Sequence, residues 1–398
     1  MSLTEATLLA DVRKRFFSPT RSATPLAVGA ELELIPVDGD TRKVVAAPSC
    51  AKLLSHLGKR ERWLDERVGD DPPTWTVPDG SRVSFEPGGQ IEISSSPHET
   101  ASSLIDSLQR LARMVETALN AEGIVLIARG VDPYNDIAAV PLQLKRARYV
   151  RMTDYFNSIG ESGIRMMRQT AALQVNVERG AEPLSRWLLL NALAPVVVAV
   201  FANSGSYAGA DTGFASYRAR LWRMLDVSRT GLPYDADDPV RRYLTFALNA
   251  GAIASAGIQG SARYESFRDW MTTTELSLED WDFHLSTLFP EVRPKAYFEL
   301  RSADTVDIGS LAAPIVFVTG LVYEQTRARD AARLLGAPST RLLEAAGKYG
   351  LRDAELRALA GELIGLSLSG AATLGPRYLS AAHIDSAREY FDRVLAVK

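Results

Sequence analysis

The sequence predicts an α+β fold: one β-sheet with a charged face and an apolar face, helices covering the apolar face, and a helical C-terminal region. Two observations carry this. Four separated segments alternate polar and apolar residues, the period of two that sends successive side chains to opposite faces of a strand. After Asp304 the apolar residues instead recur at helical spacing, over about 309–336, 338–349, 353–366 and 381–396.

The most informative alternating segment runs from Val83 to Pro97. Gln90, Glu92 and Ser94 fall on one side, Ile91 and Ile93 on the other. Glu86 precedes Pro87-Gly88-Gly89, a turn or bulge that lets the backbone come close to something. In Val28–Ile35, Glu31 and Glu33 oppose Leu32 and Leu34. In Leu173–Val177, Gln174 and Asn176 share the polar face. In Tyr297–Arg301, Glu299 and Arg301 align against Phe298 and Leu300. Any one of these could be a strand with its polar face in water. Four in one sheet gather Glu31, Glu33, Glu92 and Glu299, with Glu86 nearby. Carboxylates so close repel, and some take up protons unless cations intervene. Oxygen donors without Cys or His clusters suit hard ions such as Mg²⁺.

The whole chain narrows the classes. Its 398 residues are 46% apolar, ample for a core. A net charge of -3 supplies no bulk attraction to nucleic acid or an anionic membrane. Cys50 is the single cysteine, so no internal disulfide forms. With an N-terminus unlike a signal peptide, the expectation is a reducing, cytoplasmic setting. The longest apolar run, Ala192 to Ala202, contains Pro195 and is too short to span a bilayer. It reads as part of a buried helix, about Pro183 to Phe201, lying over the sheet.

The remaining elements follow in order. Leu8, Leu9, Val12 and Phe16 stripe a helix over 3–17. A hairpin or loop is expected around Asp38-Gly39-Asp40, a short helix over Ala51–Leu57, and an exposed loop over Asp70–Asp79. After Pro97, Leu104, Ile105, Leu108, Leu111, Ala112, Val115 and Leu119 mark a helix. Ile124–Ala128 reads as a buried strand. Asp132 to Arg151 reads as irregular, then basic. Lys145, Arg146, Arg148 and Arg151 are taken as a solvated charge cluster, the alternative being phosphate contacts. Segments 203–207, 216–222 and 226–231 read as loops and short helices that hold ligands. Trp281–Pro290 reads as helical.

Several chemistries lack their signatures. There is no P-loop, no Gly-x-Gly-x-x-Gly, no His-Glu-x-x-His, no Cys-x-x-Cys and no Gly-x-Ser-x-Gly. His284 reads as a core or edge histidine, not a ligand. What remains is a carboxylate-lined sheet rimmed by arginines. Such a site suits several Mg²⁺ ions holding ATP phosphates, because phosphoryl transfer needs metal and Arg charge more than a covalent nucleophile.

Five blocks carry a resemblance. They are Ser84-Phe-Glu-Pro-Gly-Gly-Gln-Ile-Glu-Ile-Ser, Arg168-Gln-Thr-Ala-Ala-Leu-Gln-Val-Asn176, Phe201-Ala-Asn-Ser204, Asp226-x-x-Arg229-Thr-Gly231, and the run from His284 through Phe-Pro-Glu-Val-Arg to Asp304. In this order, across about 28–325, they resemble glutamate–cysteine ligases of the plant and proteobacterial type.

The resemblance implies a single catalytic domain over 1–398, with a helical C-terminal region from about 326. It also implies a cupped, antiparallel, glutamine-synthetase-like sheet binding ATP and two or three Mg²⁺ ions. The implied reaction joins the γ-carboxylate of L-glutamate to the amine of L-cysteine through a γ-glutamyl phosphate, in thiol (glutathione) biosynthesis. By position, Glu31, Glu33, Glu86, Glu92 and Glu299 are the implied metal ligands. Gln174, Asn176 and Arg168 are implied to hold the cofactor, and Arg301, Arg218 and Arg229 to clamp phosphate or carboxylate. For each arginine a surface ion pair is the alternative.

The implied partners are small molecules, with no nucleic acid and no membrane, on a monomer or homodimer. The chain departs from the family pattern in loop 205–211, which lacks the usual Pro-Phe, and in a short segment after Pro233. The cysteines of the plant redox switch are also absent. Both altered loops are substrate-facing by the resemblance. A ligase with another amine acceptor is therefore the second reading, and a non-catalytic binding protein the third.

Overall fold

The computed structural model describes residues 3–20, 26–67, 69, 71–235, 237–253 and 265–396. Among them, nine strands join in one antiparallel sheet. They are β1 (Val28–Asp38), β2 (Leu64–Glu66), β3 (Thr74–Thr76), β4 (Arg82–Phe85), β5 (Ile91–Ser94), β6 (Ile124–Ile127), β7 (Leu173–Val177), β8 (Val292–Pro294) and β9 (Phe298–Leu300). The order across the sheet is β8-β9-β7-β1-β5-β4-β3-β2. β1 is long enough to change partners. Its first part pairs with β5 and β7, and Ile35–Asp38 pairs with β6.

The alternation read from the sequence sets the two faces. Leu32, Leu34, Ile91, Ile93, Leu173, Val175, Phe298 and Leu300 are buried in the main core. Against that face lie the helices Ala101–Asn120, Pro183–Phe201 and Ala312–Val322. The Pro183–Phe201 helix is apolar all round, which is what a helix buried on every side requires. Its length and apolarity would suffice for a bilayer, yet it is 78% buried inside the molecule. Leu356, Leu363 and Phe391 of the C-terminal helices belong to the same core cluster as Leu32, so the C-terminal region shares the sheet's core.

The structure corrects several expected elements. The helix over 309–336 breaks at Tyr323 and bends by 93°. There the Glu324 side chain accepts from the backbone N–H groups of Thr326 and Arg327, and so starts a new helix. The Ala354–Leu374 helix runs past its expected end, and the expected helix over 51–57 spans Ala47–Glu61. The expected loop over Asp70–Asp79, of which Asp70 lies outside the described residues, contains strand β3 with Trp75 buried in the core. Residues 281–290 are helical only to Ser286, and Phe289–Pro290 then pairs with Thr230–Gly231. Of the stretch 132–151 read as irregular and then basic, 132–146 is irregular apart from a short turn at Ile137–Ala139, while 147–151 opens the Ala147–Ile159 helix, followed by Glu161–Gln169. Met152, Phe156, Ile164, Met166 and Met167 pack there with Trp222 and Phe289 in a second, smaller core. This core lies over the sheet's polar face.

Candidate active site

Strand register builds the floor of the site. Glu33 lies opposite Glu92, which lies opposite Ser84. Glu31 lies opposite Ser94 on one side and Gln174 on the other. Glu299 lies opposite Asn176 and Arg293. Like charges placed directly across a sheet repel, so this row destabilises the fold unless something compensates.

Glu86 reaches the same place from the turn after β4. Gly88 can only be glycine, since a Cβ there would sit 1.9 Å from the Arg168 carbonyl oxygen. Gln143 clasps the turn, its backbone N–H donating to Pro87 O at 2.7 Å and its side chain to Gly88 O at 2.6 Å. The close approach expected of this turn is thus made to a backbone of the chain itself. Gln90 also serves the turn, accepting from the Gly88 N–H at 2.9 Å and donating to Thr170 O at 2.8 Å.

A cavity of about 160 Å³ lies between floor and cover. Glu31, Glu33, Glu86, Glu92 and Gln174 line one side. Arg148, Arg218, Arg293 and Arg301 line it too, with Trp222, Tyr149, Met152 and Phe289. The Trp222 ring lies between two cations, 4.8 Å from the Arg218 guanidinium carbon and 4.9 Å from that of Arg301. Each of the four arginines keeps a buried Nε–H that bonds nothing among the described residues. Buried donors left unsatisfied are costly, and an anionic ligand would satisfy them.

The carboxylates differ sharply in environment. Burial, then the charges of Glu92 and Glu33, push Glu86 well above the usual carboxylate range. Burial and Glu92 raise Glu33 to about 7, against the opposing pull of Arg218. Burial, Glu299 and Glu92 raise Glu31 to about 8. Glu299 goes the other way. Burial opposes its charge, but Arg301, Arg293 and Lys295 hold it below its ordinary value. Its oxygens accept from Lys295 Nζ at 2.5 Å and Arg301 Nη1 at 2.6 Å, with Arg293 Nη1 at 3.5 Å.

Several expected site residues are not brought to the cavity. Arg229 is fully buried away from it. Its donors go to Asp226 Oδ2 at 2.8 Å, Thr287 O at 3.0 Å and Gly251 O at 2.5 Å, and its guanidinium lies over Tyr155. With those bonds made it locks loops together and cannot clamp a ligand. Arg168 contributes its backbone to the Gly88 contact, while its half-buried side chain lies outside the cavity lining. Asn176 and Glu299 are also absent from that lining. Asn176 instead lies 3.4 Å from Glu31.

Arg301 lines the cavity, yet it pairs directly with Glu299 at 2.6 Å and also donates to Gln174 at 2.7 Å. Arg218 lines the cavity while donating to Arg301 O at 2.8 Å. Loop 205–211 does not line this cavity either. Its Ser206 and Gly209 border a separate recess beside Arg129 and Asp307. His284 is buried, bonded to Ala247 O at 2.7 Å, and burial lowers it to about 3.

Other cavity residues were missed or misread. Of the basic run, Lys145 and Arg146 are exposed, but Arg148, two positions after Arg146, turns inward. It donates to Ser286 O at 2.7 Å. The signal was its place on a helix with Met152 and Phe156 at spacings of four, so that one face is apolar. Arg293 appeared in the sequence only within the Phe-Pro-Glu-Val-Arg run, with no role assigned to it. The serines of the 203–216 segment hold the buried carboxylate of Asp304, Ser204 Oγ at 2.7 Å and Ser216 Oγ at 2.9 Å.

The donor chemistry of the floor accepts hard cations. Among the described residues no three Asp, Glu, His or Cys side chains converge as a ready-made metal cage. Mg²⁺ does not need one, since it is usually held by one or two carboxylates together with phosphate oxygens and water. Glu86, Glu92 and Glu33, gathered at one end of the cavity floor, fit that description.

A crystal structure of glutamate–cysteine ligase from Francisella tularensis in complex with AMP matches with a TM-score of 0.55 at 11% identity, over 94% of this chain and 82% of that one. The profile of glutamate–cysteine ligase family 2 (GCS2) matches residues 27–387, and the chain belongs to that family. It is 32% identical to glutamate–cysteine ligase EgtA of Mycolicibacterium smegmatis, over 77% of this chain and 75% of that one. It is 30% identical to chloroplastic glutamate–cysteine ligase A of Oryza sativa subsp. japonica, over 86% and 74% respectively.

Proposed function

We propose that the chain joins the γ-carboxylate of L-glutamate to the amine of L-cysteine at the expense of ATP. The names of its relatives support this reading. The observation that carries it is the cavity, where four glutamates face four arginines, each with an unsatisfied buried N–H.

In the first step a glutamate γ-carboxylate oxygen attacks the γ-phosphorus of ATP, the bond to the β-phosphate oxygen breaks, and ADP leaves. In the second step the amine nitrogen attacks the acyl carbon of the γ-glutamyl phosphate. Phosphate leaves, and the nitrogen gives up a proton to form the amide. Glu33, Glu86 and Glu92 are the residues that would hold Mg²⁺, which when bound neutralises phosphate charge. Arg301 and Arg293 supply positive charge where the transferring group gains negative charge. Arg148 and Arg218, on the covering helices, suit the remaining substrate carboxylates. The Met and Phe wall excludes water, which would otherwise hydrolyse the acyl phosphate.

The test is ADP release with glutamate and a panel of amines, with and without Mg²⁺. The expected result is release that needs glutamate, an amine and Mg²⁺, fastest with cysteine. Faster release with another amine reassigns the acceptor. No glutamate-dependent release with any amine overturns the reading.

A further inference from the structure

Two of the carboxylates implied as metal ligands already share a cation from the chain. Lys295 lies in the short connection between β8 and β9, where its backbone N–H donates to Tyr297 O at 2.7 Å and turns the chain back. Its ammonium comes to lie over the polar face, 2.5 Å from Glu299 Oε1 and 3.8 Å from Glu31 Oε1. Tyr297 Oη stands 3.3 Å from the same nitrogen. The second oxygen of Glu299 is taken by Arg301. Glu299 therefore meets protein cations at both oxygens, and Glu31 shares one of them.

An ammonium and a divalent ion cannot share that gap. A Mg²⁺ ion bridging the two carboxylates needs oxygens at about 2.0–2.1 Å, and it would meet the positive charge of Lys295 at contact distance. The other three glutamates differ. Glu33, Glu86 and Glu92 form no ion pair within 4.0 Å among the described residues.

We propose that the Lys295 ammonium takes the place of a divalent ion between Glu31 and Glu299, confining the metal sites of this chain to Glu33, Glu86 and Glu92. This rests on reading the polar face as a metal–nucleotide site. Lys295 is then a positioning residue: it neutralises Glu299 and keeps Glu31 turned to the cavity without competing for the nucleotide's metal.

The probe is Mn²⁺, counted by electron paramagnetic resonance at saturating non-hydrolysable ATP analogue. Lys295→Gln, which leaves the carboxylates in place, is expected to bind one Mn²⁺ more than the wild type. Lys295→Arg, which keeps the charge, is expected to match the wild type. An unchanged count in Lys295→Gln overturns the inference while leaving the proposed function standing. A wild type that binds no Mn²⁺ overturns both.

A second comparison needs no change at Lys295. Glu31→Gln should leave Mn²⁺ affinity within about twofold, while Glu33→Gln should weaken it about tenfold or more. Equal losses in the two variants contradict the inference.

Discussion

Glu86 and Glu299 stand over one sheet face, Glu299 fully buried and Glu86 half-buried in the cavity wall, yet they are driven to opposite states. Glu86 is driven toward its protonated form and Glu299 is held ionised. Desolvation acts on both in the same direction, so the difference lies in their neighbours. Glu86 faces Glu92 and Glu33. Glu299 faces Arg301, Arg293 and Lys295. A row of carboxylates that looks uniform in the sequence therefore divides into two parts. One is neutralised by the chain itself and steadies the fold. The other, Glu33, Glu86 and Glu92, has no ion pair among the described residues, and it is the part to which the proposed metal ions are assigned.

The largest effect is expected at the uncompensated end. Glu92→Gln removes a charge from the proposed metal group while keeping an oxygen that can accept from Ser84 and Ser94, as Glu92 does now. ADP release should fall about a thousandfold, roughly 4 kcal/mol of barrier, in a protein with a native circular dichroism spectrum. Turnover near that of the wild type would remove Glu92 from the metal group.

Arg301 stands between the two parts, and its replacement separates them. Arg301→Lys keeps a charge for Glu299 but loses the planar guanidinium whose Nη1 donates to both Glu299 and Gln174. A fall in kcat/KM of about ten- to a thousandfold is expected, roughly 1.4 to 4 kcal/mol. A lower melting temperature with unchanged kinetics would make Arg301 a purely structural partner of Glu299.

At the compensated end the cost is in stability. Glu299→Gln leaves Arg301 and Arg293 without their paired carboxylate and Lys295 with Glu31 alone, and breaking a buried pair in this way costs about 3–5 kcal/mol. Urea unfolding measures it, and a loss below about 1 kcal/mol would contradict the ion-pair account.

A further test is the pH dependence of the metal-free protein. Glu31 and Glu33 have folded-state values raised to about 8 and about 7, against an ordinary 4.5. Between these values the folded chain keeps protons that the unfolded chain has lost. Their contribution is fully present below the unfolded value and is lost as pH rises through the folded values. In chelator, stability should fall from about pH 5 to pH 8.5, and added Mg²⁺ should flatten the curve. A flat curve in chelator would mean that the floor is not strained.

Much of the floor was legible because strand periodicity is strict. Once Leu32, Ile93, Val175 and Phe298 go to the core, Glu31, Glu33, Glu92, Gln174 and Glu299 must go to the opposite face. The cover was less legible, because it comes from helices whose charged faces look alike whether solvated or not. Arg148 turns inward where Arg146, two residues earlier, pairs with Asp71 at the surface. Arg218 and Arg229 sit in similar polar contexts in the sequence, yet only Arg218 lines the cavity. Partners that saturate Arg229 lie at Thr287 and Gly251, far along the chain, and no local pattern announces them. Lys295 was visible four residues before Glu299, but only the turn between β8 and β9 brings it over the sheet.

The division of the sheet is tested most directly by two melting curves. Glu92→Gln and Glu299→Gln are each unfolded in chelator at pH 8 beside the wild type. The account predicts opposite signs. Glu92→Gln should melt higher, because it relieves the repulsion felt by Glu86, Glu33 and Glu31, and Glu299→Gln should melt lower. Shifts of the same sign in both variants would contradict it.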